Sequence, residues 1–256
     1  IIAGEASGDL HGSNLMKGLY ATDPQCDVRF WGGDRMAAVG GTMVRHYKAT
    51  AVMGFVEVLA KANKILGNLS FCKKDILEYS PDVVILIDFA GFNLKIARFA
   101  KEHGIRTFYY IAPKVWAWKE GRITKLRKYV DKLFIIFPFE IEYFHKKGID
   151  AIYRGNPLID SIANHRSSHE TRTEFLQRHH LEEKPIIALL AGSRKTEISW
   201  LLPRFKEAAA LLPEGYQILL AGAPSIELEY YRKYIEGSNI KLIPDDTYGV
   251  LRNAEA

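Results

Sequence analysis

Several short segments of this 256-residue chain bring together residue types that move protons or hold phosphates. Asp88 ends the apolar run Val83-Val84-Ile85-Leu86-Ile87 and is followed by Phe89-Ala90-Gly91-Phe92-Asn93. A carboxylate at the tip of a central strand is costly unless it faces a polar cleft or is paired. In a cleft it can take a proton from a substrate hydroxyl as general base. The alternative is a cap for the helix beginning near Phe92, for which Asp88 stands about a turn early. Gly192-Ser193-Arg194 follows a second apolar run and opens a helix. The amides of a Gly-Ser turn together with an arginine fork suit a diphosphate, although Glu197 could instead pair with Arg194 or complete a cap.

Near the start, Gly4-Glu5-Ala6-Ser7-Gly8-Asp9 joins a strand to a helix. Its glycines allow a tight turn close to a ligand. Ser7 or Asp9 can cap the helix, and the open amides favour an anion or a hydroxyl-rich group. The segment is neither a GxGxxG fingerprint nor a P-loop, because no lysine follows the glycines. Trp116 and Trp118, flanked by Lys114 and Lys119, could stack on a sugar, sit at a lipid interface or pack a helix. His165 and His169 have helical spacing but no third ligand. Nothing in the sequence calls for a metal or another cofactor.

The elements that must position these residues are legible as alternating strand and helix signals, the mark of a helix-covered parallel sheet. Strands are expected at Ile1–Ala3, Val28–Trp31, Val83–Asp88, Thr107–Ile111, Leu133–Ile136, Ala151–Tyr153, Ile186–Leu190, Gln217–Ala221 and Ile240–Ile243. The clearest helices are expected at Leu10–Tyr20, Phe92–His103, Arg122–Val130 and Ile198–Leu212. The unalternating run before Asp88 reads as a strand buried on both faces. Composition turns polar at His165–Glu170, and a fresh strand–loop–helix unit starts at Ile186. The expected architecture is α/β: two Rossmann-like, doubly wound parallel-sheet domains. Residues 1–160 form the first, and 161–256 form a partial second one. A ligand would sit at the carboxyl ends of the strands, in a cleft between the domains. Both ends of the chain read as cut.

Composition limits the setting. Hydrophobic residues make up 48% and charged residues 25%, a globular mix. The net charge of +5 suits anionic partners such as nucleotides, phosphorylated lipids, anionic membrane or nucleic acid. Cys26 and Cys72 make no disulfide framework, which points to a reducing compartment. No apolar run approaches the roughly 20 residues of a spanning helix. Met53 to Leu66, with Phe55, Val56 and Leu59 set against Lys61 and Lys64, reads either as core packing or as a basic amphipathic helix on an anionic membrane.

Taken in order, Ala3–Asp9, Ala51–Leu59, Ile87–Asn93, Val115–Trp118, Gly155–Leu158 and Gly192–Arg194 resemble the motifs of the lipid-A-disaccharide synthase family. The resemblance implies a metal-independent, inverting glycosyltransferase of the B-type fold. Its substrates would be UDP-2,3-diacylglucosamine and 2,3-diacylglucosamine 1-phosphate (lipid X), its products a β(1→6) disaccharide and UDP. The enzyme would act as a peripheral protein on the cytoplasmic face of the anionic inner membrane. Asp88 matches the family's essential aspartate, and Arg194 an arginine that meets the donor diphosphate with Gly192 and Ser193. Glu5, Ser7, Gly8, Asp9, Asn93 and Asn156 fall in the acceptor-side loops, and Met53, Phe55, Val56 and Leu59 on the membrane or acyl surface. Gly91 stands where a second acidic residue is common, Asn156 where a histidine is usual, and the family's Gly-rich nucleotide-holding segment lies beyond residue 256. The alternatives are another UDP-sugar enzyme of this fold, such as a 2-epimerase, or a non-catalytic basic module. Specific nucleic-acid binding is not expected, and no feature specifies an oligomeric state.

Overall fold

The computed structural model describes residues 1–50 and 58–256. The chain forms two compact units, Ile1–Leu158 and Ile159–Ala256. In the first, strands and helices alternate as β1 (Ile2–Ala3), α1 (Ala6–Thr22), β2 (Arg29–Gly32), α2 (Asp34–Val39), β3 (Thr42–His46), α3 (Tyr47–Thr50) and α4 (Val58–Tyr79). There follow β4 (Val83–Ile87), α5 (Ala90–Glu102), β5 (Arg106–Tyr110), α6 (Ile123–Tyr129), β6 (Lys132–Ile135), α7 (Phe139–Lys146) and β7 (Ala151–Tyr153). The strands form one parallel sheet in the order β3-β2-β1-β4-β5-β6-β7. This is the doubly wound arrangement, in which strand order reverses between β1 and β4.

The sheet is buried on both faces, and the side-chain period of two divides its strands between two clusters. Val84 and Leu86 of β4 pack on one face with Tyr109, Leu133 and Phe144. Ile87 points to the other, with Ala3, Met16, Phe30 and Met36. Burying Tyr109, Leu86 and Phe144, none of which keeps any exposed surface, stabilises the fold by about 2 kcal/mol per side chain.

α8 (Pro157–Ala163) and α9 (Arg172–Arg178) lead into a second α/β pattern: β8 (Ile186–Leu189), α10 (Lys195–Ala209), β9 (Gln217–Gly222), α11 (Leu228–Ile235), β10 (Ile240–Pro244) and α12 (Thr247–Asn253). Its parallel sheet runs β10-β9-β8. β9 repeats the two-faced pattern, with Ile218 and Leu220 in one cluster and Leu219 and Ala221 in the other.

β3 was not among the expected strands. Thr42-Met43-Val44-Arg45-His46 has little apolar content because it is the outermost strand, and edge strands carry polar side chains. Met53, Phe55 and Val56 lie outside the described residues, as does the side chain of Leu59. The helix that contains Leu59 continues to Tyr79, well past Leu66.

Candidate functional site

The two loops of the first unit singled out by their chemistry meet where the strand order reverses. Ala3 pairs with Ile87, so Gly4 and Asp88 leave the sheet side by side. A Cβ on Gly4 would stand 2.4 Å from the Phe89 ring, so only glycine admits that ring. Asp88 and Phe89 both hold left-handed backbone, with φ of 44° and 47°. Two successive non-glycine residues in this region are strained. Neighbouring side chains hold them there. Asn93 Nδ2 donates to the carbonyls of Asp88 at 2.9 Å and Ile87 at 3.1 Å, and to that of Ile2 at 3.4 Å. The Tyr109 hydroxyl donates to the Asp88 carbonyl at 2.5 Å, and Asp88 N donates to Tyr110 at 3.3 Å. The backbone of Asp88 is thus clamped while its side chain is exposed.

Phe89 occupies the N-cap of α5 and no side chain caps that helix, so the alternative of Asp88 as its cap falls away. One expectation changes. Asn93, expected among the acceptor-side loop residues, is wholly buried; its Nδ2 clamps the loop and its Oδ1 has no hydrogen-bond partner among the described residues.

The first loop differs in a similar way. Neither Ser7 nor Asp9 caps α1: both lie inside it, and Glu5 is its N-cap residue. Asp9 is buried. Its carboxylate accepts backbone N–H bonds from Gly33 at 2.7 Å and from Arg35 and Met36 at 3.1 Å. It therefore caps α2 from a distance and braces β2 against α1, which removes it from the substrate-facing set. Gly8 lets α1 approach β1, since a Cβ there would meet Ala3 Cβ at 3.1 Å. Glu5 and Ser7 are exposed.

His11, one turn into α1, was not anticipated. Its Nδ1 is buried with no hydrogen-bond partner. Burial pushes the imidazole below its usual pKa, and the Asp88 carboxylate draws it part of the way back. A lone histidine on a helix gives no sequence signal; only the fold brings it within reach of the Asp88 charge.

The tryptophan loop is anchored by another residue passed over, Glu140. This carboxylate is completely buried. It accepts from Trp116 Nε1 at 3.0 Å, Lys114 Nζ at 3.3 Å, and the backbone N–H groups of Ile136 and Phe137 at 3.2 and 3.1 Å. Trp118 stays 68% exposed, with Lys119 and Arg122 against its ring. Trp116 is tethered through its indole N–H, while both tryptophans keep exposed surface.

In the second unit Gly192 has φ 87°, and a Cβ there would strike Glu197 Oε2 at 2.4 Å. That oxygen accepts from Ser193 N at 3.0 Å and Arg194 N at 3.1 Å, while Oε1 lies 3.3 Å from Arg194 Nη1. The open amides expected for a diphosphate are already satisfied by Glu197. What the turn presents outward is the Arg194 side chain, 64% exposed. Asn156 Oδ1 accepts from Leu158 N at 3.0 Å and caps the start of α8. His169 lines a concavity of about 690 Å³ with Arg166, Glu170, Glu174, Gln177 and Arg178. The cations there are committed: Arg178 grips Glu170 at 2.6 Å through two nitrogens and Asp246 at 2.7 Å, and Arg166 lies 3.6 Å from Asp246.

Two parallel-sheet α/β units, the first of them doubly wound, define the class: the glycosyltransferase B-type fold. Among solved structures, the UDP-GlcNAc 2-epimerase of Neisseria meningitidis bound to UDP-GlcNAc superposes with a TM-score of 0.67 at 11% identity, covering 98% of this chain and 73% of that one. The Methanocaldococcus jannaschii UDP-GlcNAc 2-epimerase in complex with UDP-GlcNAc and UDP does so at 0.67 and 14%, covering 99% and 76%. That likeness concerns the fold alone. The sequence narrows it. A family model described as lipid-A-disaccharide synthetase matches residues 1–245. The lipid-A-disaccharide synthases of Geobacter metallireducens and Syntrophus aciditrophicus are 37% and 38% identical to all of this chain, which covers 67% and 68% of them. The chain belongs to the lipid-A-disaccharide synthase family and is a glycosyltransferase. It spans about two thirds of the length of these relatives.

Proposed function

We propose that this chain acts in the synthesis of the lipid A disaccharide, with Asp88 as general base and Arg194 as the contact for the donor diphosphate. The reaction transfers 2,3-diacylglucosamine from UDP to the 6-hydroxyl of 2,3-diacylglucosamine 1-phosphate. As the hydroxyl oxygen attacks the anomeric carbon, its proton passes to the Asp88 carboxylate. The bond to UDP breaks on the opposite face, and the configuration inverts. Negative charge develops on the leaving diphosphate, and an arginine fork is suited to stabilise it. The observation that carries the reading is the exposed Asp88 carboxylate on a clamped, strained tip at the switch point of the sheet. A base held rigidly loses little entropy when the substrate arrives. Because Glu197 occupies the amides of the Gly192 turn, the anion contact is assigned to the Arg194 side chain.

The test is turnover of UDP-diacylglucosamine and lipid X by a protein of the relatives' full length containing this chain. Asp88→Asn is expected to lower kcat by about 10²- to 10⁴-fold, and Arg194→Ala to lower kcat/KM with folding intact. Normal turnover in Asp88→Asn removes the base assignment. The same reading places the protein on the cytoplasmic face of the inner membrane, with Met53, Phe55, Val56 and Leu59 supplying apolar contact.

A further inference from the structure

The unpartnered nitrogen of His11 stands out because buried polar side-chain atoms are nearly always hydrogen-bonded. His11 lies between Gly8 and Gly12, two points where α1 approaches the end of β4. A Cβ on Gly12 would lie 3.3 Å from Ile87 Cδ1, and one on Gly8 3.8 Å from Ile87 Cγ2. Asp88 is the next residue. The helix contact that brings α1 onto β4 thus delivers an imidazole to the same strand tip. We propose that His11 receives the proton that Asp88 takes from the acceptor hydroxyl, so that the two side chains form a relay at the switch point. This rests on Asp88 being the base.

The chemistry balances without another reactant. The hydroxyl O–H bond breaks as the new C–O bond forms, and the electron pair of the old C–O bond leaves with UDP. The proton passes to the carboxylate, then to the imidazole, and is lost to water once the products depart. An imidazole is ordinarily about two pKa units more basic than a carboxylate, which favours the second transfer; burial of His11 narrows that margin and the Asp88 charge restores part of it. The transfer also requires a neutral imidazole at the outset, which burial favours. Asp88 is the charge that acts on the ring. Tyr109 on β5 touches the pair through the Asp88 carbonyl, with its hydroxyl pushed far above its usual range by burial and by the Asp88 charge. Arg122 acts on Tyr109, and Asp9 is turned to the amides of α2.

Two measurements test the relay. In the 256-residue chain, an NMR titration of His11 should give a pKa below 6.5 that falls further in Asp88→Asn; no change between the two overturns the coupling. In the full-length enzyme, His11→Gln should lower kcat at least tenfold with KM for both substrates unchanged. It should also move the onset of the acid-side loss of activity to lower pH, where protonation of Asp88 alone remains, at a melting temperature matching the parent. Unaltered kcat and an unaltered acid limb in His11→Gln, with Asp88→Asn inactive, sink the relay and leave the base assignment standing. Full turnover in Asp88→Asn removes both.

Discussion

Asn93 shows how much of the site depends on a residue that touches no substrate. Its amide reaches the carbonyls that end β4 and one on β1, so a single side chain ties together the strands on either side of the reversal. Without it, the left-handed pair Asp88–Phe89 keeps the Tyr109 bond to the Asp88 carbonyl and the link to Tyr110, but the buried Ile87 carbonyl loses a donor. Asn93→Ala is therefore expected to cost about 1–3 kcal/mol of unfolding free energy, read from urea denaturation. It should lower kcat more than this loss of stability accounts for, since the base is held less firmly. A variant as stable as the parent contradicts the clamp. From sequence, Asn93 and Asp9 were expected among the acceptor-side loop residues because both are polar and fall in the loop motifs that carry the family resemblance. Polar type does not distinguish a residue facing solvent from one satisfying backbone groups inside, and burial decides it.

At the scale of elements, the second unit is braced by ionic contacts that join α9 and α12. Asp246 is fully buried at the start of α12. It accepts from Gly249 N, lies 2.8 Å from His179 Nε2 and 2.7 Å from Arg178 Nη2. Burial by itself raises its pKa; the hydrogen bonds from His179 and Arg178 and the charge of Arg166 outweigh that and hold the carboxyl below its usual range. The bidentate Arg178 bond likewise lowers Glu170, against the opposing effect of burial. Both groups thus bind protons more weakly folded than unfolded. Their contribution is complete above the unfolded values near pH 4 and disappears as pH falls through the lower, folded ones. Stability of this unit should drop steeply below about pH 4, and Asp246→Asn should flatten the slope while lowering stability at pH 7. A pH dependence identical to the parent's would show that the brace carries no linkage.

At the scale of the molecule, charge and apolar surface suggest where the protein works. The chain carries a net +5, and α4 exposes Ile65 and Leu66, the last two residues of the Met53–Leu66 stretch, at 40% and 57%. Among the described residues no helix is long and apolar enough to cross a membrane. Attachment to an anionic surface would combine apolar contact with charge, and charge is screened by salt. Sedimentation with phosphatidylglycerol vesicles should weaken as salt rises. Changing Phe55 and Leu59 together to serine should weaken it further at an unchanged melting temperature. Equal retention with and without those side chains refutes the membrane role of the stretch.

The α/β class and nearly all the strands were readable from the order of residues alone, because a buried parallel strand must be a short apolar run and each run here is bounded by turn residues. The candidate base was readable too: a carboxylate ending such a run has few other uses. Which polar residues face outward was not. Asp9 and Asn93 were legible as polar groups in ligand-type loops, yet Asp9 is spent on amides of a distant segment and Asn93 on the carbonyls that end β4 and one on β1. The Glu197 cap, by contrast, is local and was one of the readings its spacing offered. His11 carried no signal at all, since its meaning lies in a strand tip 77 positions away along the chain. Local pattern specifies elements because it acts through neighbouring residues; partners distant in sequence are assigned only when strand order and helix approach set which side chains meet.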